Sequence, residues 1–242
     1  EDFLNVAAIR DTILQSVLDF VQLARLVQNP ALDLTAIGAP KLDVSKLAYL
    51  GESFGTIVGT DLAAIEPSIG LFILNVPGGG LLDQILPNSA YIGSLAIPFL
   101  TGIYRTLGTI DRFHPLVSLM QGIFDGADPL SFAGEVRLPH VLAIEVIGDE
   151  IMANQGTIAL AQRLGLQLMT PAYDDPSPLQ TIAAPATPAT VGGRLGVLVQ
   201  YAPATHGYNW SAEIGDLEFE PGFPHAGDDP FPCSFDAGDE GH

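Results

Sequence analysis

The apolar positions of this chain fall into two periods. Over residues 3 to 28, Phe3, Val6, Ala7, Ile9, Ile13, Leu14, Val17, Leu18, Val21 and Leu23 recur at helical spacing, with Asp2, Arg10, Asp11, Gln15 and Gln22 largely on the other side. That spacing predicts an amphipathic helix ended by Asn29-Pro30. After a loop punctuated by Gly38 and Pro40 come continuous apolar runs of strand length: 46–50, 69–76, 139–147 and 193–201. Apolar runs without alternation suit parallel strands covered on both faces. Between them lie helical stretches at 54–66, stopped by Pro67, and at Asn154 to Leu164, with Gly165 placed as a C-terminal cap. Residues 170–190 read as a Pro/Thr/Ala-rich loop, and Pro77-Gly78-Gly79-Gly80 as a hinge. Strands separated by helices predict an α/β architecture with a mostly parallel sheet.

Residues 81–137 differ in texture, with short apolar helical pieces separated by Pro87, Gly108, Pro115 and Gly126. Coming after a core strand, they predict a helical cap or lid; ordinary core is the other reading. The expected organisation is a core over residues 1–210 that contains this insertion, followed by an acidic tail over 211–242.

The first strand runs straight into Gly51-Glu52-Ser53-Phe54-Gly55, a GxSxG sequence between strand and helix. On such a turn a serine takes strained backbone angles that hold its hydroxyl up, and the glycines at 51 and 55 remove Cβ atoms from a crowded turn. Ser53 as a small residue in a tight turn is the plainer alternative. The 139–147 strand ends in Gly148-Asp149-Glu150, and the last is followed by Ala204-Thr205-His206-Gly207. In open parallel sheets ligands bind beyond the carboxyl ends of the strands, where Ser53, Asp149 and His206 all fall. A serine hydroxyl needs an imidazole to take its proton, and the imidazole needs a carboxylate to fix its tautomer. His206 and Asp149 are the candidates, with Ser53, Asp149 and His206 successively 96 and 57 residues apart. Asp149 as a helix cap, and Glu145 and Glu150 as rival acids, remain open from sequence.

Composition narrows the choices. Nine basic against 28 acidic residues, a formal net charge of -19, argue against a nucleic-acid partner. The acidic residues beyond Arg194 read as a solvated tail, or as calcium-binding oxygens without the ordered loop such a site uses. A mean hydropathy of +0.33 supplies a sizeable core, yet no apolar run reaches transmembrane length. No basic-apolar-small leader stands at the start, so a targeting segment is expected to be absent or removed; secretion or an envelope location stays open. Cys233 is the single cysteine. No HExxH, CxxC or phosphate loop suggests a metal or cofactor.

GESFG on a strand-to-helix turn, GDE after a strand and ATHG after the last strand resemble the α/β-hydrolase superfamily, bacterial lipases and esterases in particular. The resemblance covers residues 1 to about 210. It implies an α/β-hydrolase sheet with flanking helices and a serine ester hydrolase acting through an acyl-enzyme. In its terms Ser53 is the nucleophile, His206 the base and Asp149 the acid; Phe54 supplies an oxyanion-hole N–H, and Gly51 and Gly55 belong to the elbow. In that family several strands and a second oxyanion donor precede the nucleophile, whereas here a helix and a loop do. An N-terminal partner chain or fragment completing the sheet is therefore expected, and a non-catalytic module completed by such a partner is the alternative function.

Overall fold

The computed structural model describes residues 5–38, 42–104, 110–137, 139–174, 179–187 and 193–207. Helix α1 (Val6–Val27) is capped by Asn5, whose side chain accepts the Ala8 N–H at 3.0 Å. It buries a narrow stripe of Val6, Ile13, Val17, Val21 and Ala24. Leu18 and Leu23, counted on the apolar face from their spacing, are 53% and 49% exposed, so the buried stripe is narrower than the periodicity suggests. Phe20 sits edge-on to Tyr49, with ring centroids 5.3 Å apart, and ties α1 to the first strand.

Six strands form one sheet in the order β1-β2-β3-β6-β4-β5, and every pairing is parallel. They are β1 (Ala48–Glu52), β2 (Leu71–Asn75), β3 (His140–Val146), β4 (Gln167–Thr170), β5 (Thr181–Ala183) and β6 (Gly196–Tyr201). The two short strands β4 and β5 lie within or beside the stretch expected to be a loop. Too short to show periodicity, they are recruited by pairing beside β6 and β4. In register, Tyr49 lies beside Phe72 and Gly51 beside Leu74.

Helix α2 (Phe54–Ile65) packs on β1 and β2, and α7 (Asn154–Leu164) on β3. Gly165 ends α7 in the left-handed conformation, φ 67°. Phe72, Leu62, Leu160, Val141 and Leu198 are buried between sheet and helices.

Residues 81–137 divide in two. A π-helical turn, Leu81–Ile85, continues into α3 (Leu86–Asn88) and then α4 (Ala90–Tyr104). Helix α5 (Pro115–Phe124) packs on α1, and α6 (Pro129–Phe132) on α2 and α7. Val117, Phe124, Ala127 and Ala133 of the second part join the main core, and so do Leu86 and Leu100 of the first. Glu1–His206 forms one compact unit. The acidic tail over 211–242, with Cys233, lies outside the described residues. Among the described residues no helix is long and apolar enough to cross a membrane.

Candidate active site

Strand β1 delivers its chain to Ser53, which stands at φ 51°, ψ -114° just before α2. A positive φ is costly for a residue with a Cβ, and such strain persists only where the surroundings over-determine it. Here the Ser53 N–H donates to the Asn75 carbonyl at 3.0 Å, and the Thr56 N–H and hydroxyl donate to the Ser53 carbonyl at 2.8 and 2.6 Å. Of the two elbow glycines, Gly51 is required by space: a Cβ there would lie 2.7 Å from both the Gly55 carbonyl carbon and the Tyr49 ring. A Cβ at Gly55 would meet only the Tyr49 hydroxyl, at 3.8 Å, so Gly55 is not needed to avoid a collision. The tight second contact belongs to Gly59, whose Cβ would run into the Tyr49 ring and lie 3.1 Å from Leu74. That ring is fixed because its hydroxyl donates to the Gly55 carbonyl at 2.7 Å.

Val76 is the other described non-glycine residue at positive φ, 48°, one position past the end of β2. A β-branched residue in this region is a genuine outlier. The two strained residues thus sit at the ends of neighbouring strands, a feature that sequence cannot reveal because valine ordinarily favours extended backbone.

His206 Nε2 lies 2.8 Å from Ser53 Oγ, and its Nδ1 lies 2.9 and 2.8 Å from the two Asp149 carboxylate oxygens. Asp149 and His206 are buried. One Asp149 oxygen also accepts the Ile151 and Met152 N–H groups, each at 2.8 Å. Asp149 therefore organises its own turn but does not cap α7, whose N-cap position is Ala153. Placing the ring proton on Nδ1, toward the carboxylate, leaves Nε2 to face the Ser53 hydroxyl as a hydrogen-bond acceptor.

The rival acid Glu145 is 1% exposed and engaged elsewhere. Asn154 donates to one of its oxygens and Gln200 to the other, each at 3.0 Å. Burial pushes its carboxyl up to about 7, against the two hydrogen bonds. Asn154 also donates to the Val146 carbonyl at 2.7 Å and accepts the Gly148 N–H at 2.8 Å, clamping the turn that carries Asp149.

Beside Ser53 opens a cavity of about 220 Å³, lined by Phe54, Ile57, Ile85, Leu86, Ile92, Met152 and their apolar neighbours. Ser53 is its one polar lining residue. The wall contributed by the π-helical turn is tied down by a buried carboxylate: Asp128 accepts the N–H groups of Gly80, Leu81 and Leu130 at 2.9, 2.7 and 2.9 Å. Gln121 donates to the same carboxylate at 3.0 Å and accepts the Leu82 N–H at 2.8 Å. Sequence reading passed over Asp128 because its partners stand up to 48 residues away. Phe54 is the first residue of α2, so its N–H has no carbonyl partner within the helix. Among the described residues no three His, Cys, Asp or Glu side chains gather as metal ligands.

A parallel sheet with flanking helices and a strained serine between strand and helix define the α/β-hydrolase fold, and comparison with solved structures agrees. An acetyl xylan esterase from Paenibacillus sp. R4 aligns over 83% of this chain and 50% of its own, at 14% identity and a TM-score of 0.51. Acetyl xylan esterase 1 from Thermoanaerobacterium sp. JW/SL YS485 aligns over 82% and 50%, at 16% identity and 0.47. Likeness at this identity defines the fold and nothing narrower. The chain spans about half the length of these structures. No family model matches it, and no curated protein does.

Proposed function

We propose that the chain carries the active site of a serine carboxylic-ester hydrolase, an esterase or lipase, acting on esters with an apolar acyl group. The observation that carries this reading is the unbroken line of hydrogen-bond distances from Ser53 through His206 to Asp149, opening on an apolar cavity. In the first half-reaction Ser53 Oγ bonds to the acyl carbon while its proton passes to His206 Nε2. The C–O bond to the alcohol then breaks, and the alcohol leaves with that proton. Water attacks the acyl-enzyme, gives its proton to Nε2 and releases the acid, and Ser53 recovers its hydrogen. Asp149 holds the ring and stabilises its charged form, and the Phe54 N–H donates to the developing oxyanion. The π-helical turn and α4 act as the lid over the acyl group.

Ser53→Ala is expected to abolish hydrolysis of a short-chain nitrophenyl ester while circular dichroism stays unchanged; undiminished turnover would sink the assignment. A second reading, a non-catalytic module completed by another chain, is favoured by β1, an edge strand whose Leu50 is 69% exposed. A fluorophosphonate probe separates the two. Stoichiometric label on Ser53 speaks for the enzyme, and none on the folded protein for the module.

A further inference from the structure

Two of the side chains that line the cavity pack against a glycine loop. Residues 76–80 leave β2 and cross beneath Ile85 and Met152, which are 3% and 4% exposed and both line the cavity. A Cβ at Gly78 would lie 2.8 Å from Met152 Cε and 2.9 Å from Ile85 Cδ1, the far ends of those two side chains. Gly78 is not at a positive φ, so an L-residue there meets a problem of space and not of backbone strain. Its neighbours differ. Gly80 is left-handed at φ 69°, and a Cβ at Gly79 would press on Leu130, which does not line the cavity.

Nor is the loop free to retreat. The Val76 N–H donates to the Ile144 carbonyl at 2.8 Å, the Thr157 hydroxyl to the Pro77 carbonyl at 2.6 Å, and the Gly79 N–H to the Gly156 carbonyl at 3.2 Å. Gly156, which packs against the loop at Gly79, also crowds Ile85: a Cβ there would lie 3.0 Å from Ile85 Cγ1. With the loop backbone held, atoms added at 78 displace the tips of Met152 and Ile85, and both of those side chains line the cavity.

Accepting the ester-hydrolase reading above, we infer that Gly78 sets acyl-chain length by fixing how deep Met152 and Ile85 let the cavity run. The cavity of about 220 Å³ beside Ser53 is the space that these two side chains bound. The absence of a Cβ at Gly78 is what gives that depth, and Gly78 and Gly79 are glycines of close packing, whereas Gly80 takes a left-handed turn.

The test is kcat/KM for nitrophenyl acetate, butanoate, hexanoate and octanoate with wild type, Gly78→Ala and Met152→Ala. Gly78→Ala should lower the octanoate-to-butanoate ratio by about tenfold, the lower end of what one methylene is worth in an apolar pocket. Met152→Ala should move it the opposite way, and does so independently if Gly78→Ala fails to fold. A ratio unchanged in folded, fluorophosphonate-reactive variants overturns this inference and leaves the ester-hydrolase reading standing. Wild type that neither hydrolyses any of the four esters nor takes the label overturns both.

Discussion

Two aspartates show how differently one fold can treat a buried carboxylate. Asp149, beyond the end of β3, is 7% exposed and fully engaged, by two backbone N–H groups and by the His206 ring. Asp61, in the middle of α2, is 1% exposed, and neither of its oxygens has a hydrogen-bond partner. Burial, reinforced by the charge of Asp128, pushes the Asp61 carboxyl up to about 8, so at neutral pH it holds a proton. At the first site two backbone N–H groups and the imidazole replace the partners that burial takes from a carboxylate. The second bears the cost of desolvation with no partner to offset it.

The largest expected break in this contrast is kinetic. Asp149→Asn should leave the fold intact and lower kcat on the order of 10⁴-fold, the loss expected when the imidazole is held in the wrong tautomer. Asp61→Asn should leave turnover unchanged, measured on the same ester. If both variants lost activity alike, the distinction between a catalytic and a buried structural carboxylate would fail.

Next comes the pH dependence of stability. The folded pKa of Asp61, about 8, lies above the ordinary value of 3.8 that it regains on unfolding. Between those limits the folded state binds more protons, so stability falls as pH rises through the window and levels off above it. At about 1.4 kcal/mol per pKa unit the loss is on the order of several kcal/mol. Glu145, raised to about 7, adds a slope of the same sign over a narrower window. Urea midpoints taken from pH 4.5 to 8.5 should therefore decline for wild type and decline less for Asp61→Asn. An identical decline in both would show that Asp61 ionises freely in the fold.

Smaller effects sharpen the picture. Asp128→Ala orphans the Gly80, Leu81 and Leu130 N–H groups and should cost on the order of 3 kcal/mol by denaturant unfolding. It should also raise KM for octanoate more than for acetate, because the cavity wall loses its anchor. Asn154→Ala removes the clamp on the Gly148 turn and should cost about 1 to 2 kcal/mol, with a drop in kcat well short of that for Asp149→Asn.

Much of this arrangement was legible in the chain itself. Strand β1, the Ser53 turn, α7 with its Gly165 cap, and the placement of Asp149 and His206 after strands all follow from local pattern. Helical spacing, unbroken apolar runs and turn chemistry are set by residues within a few positions of one another. The parts that escaped are of another kind. β4 and β5 are too short to carry a period, and Val76 has a side chain that argues against its own conformation. Gly55 looked required and is not, whereas Gly59 and Gly78 are tight for reasons that lie on other segments. Leu18 and Leu23 match the apolar spacing of α1 and still face outward.

By itself, then, the sequence determined an α/β order and three chemically matched residues at strand ends, because backbone propensity and burial period are local properties. Tertiary structure alone decided that Ser53 and His206, 153 residues apart, stand at 2.8 Å, that Glu145 is turned away from them, and that Asp61 is left without a partner. Those outcomes depend on how segments remote in sequence fill one volume, and no single segment encodes the space that its neighbours leave.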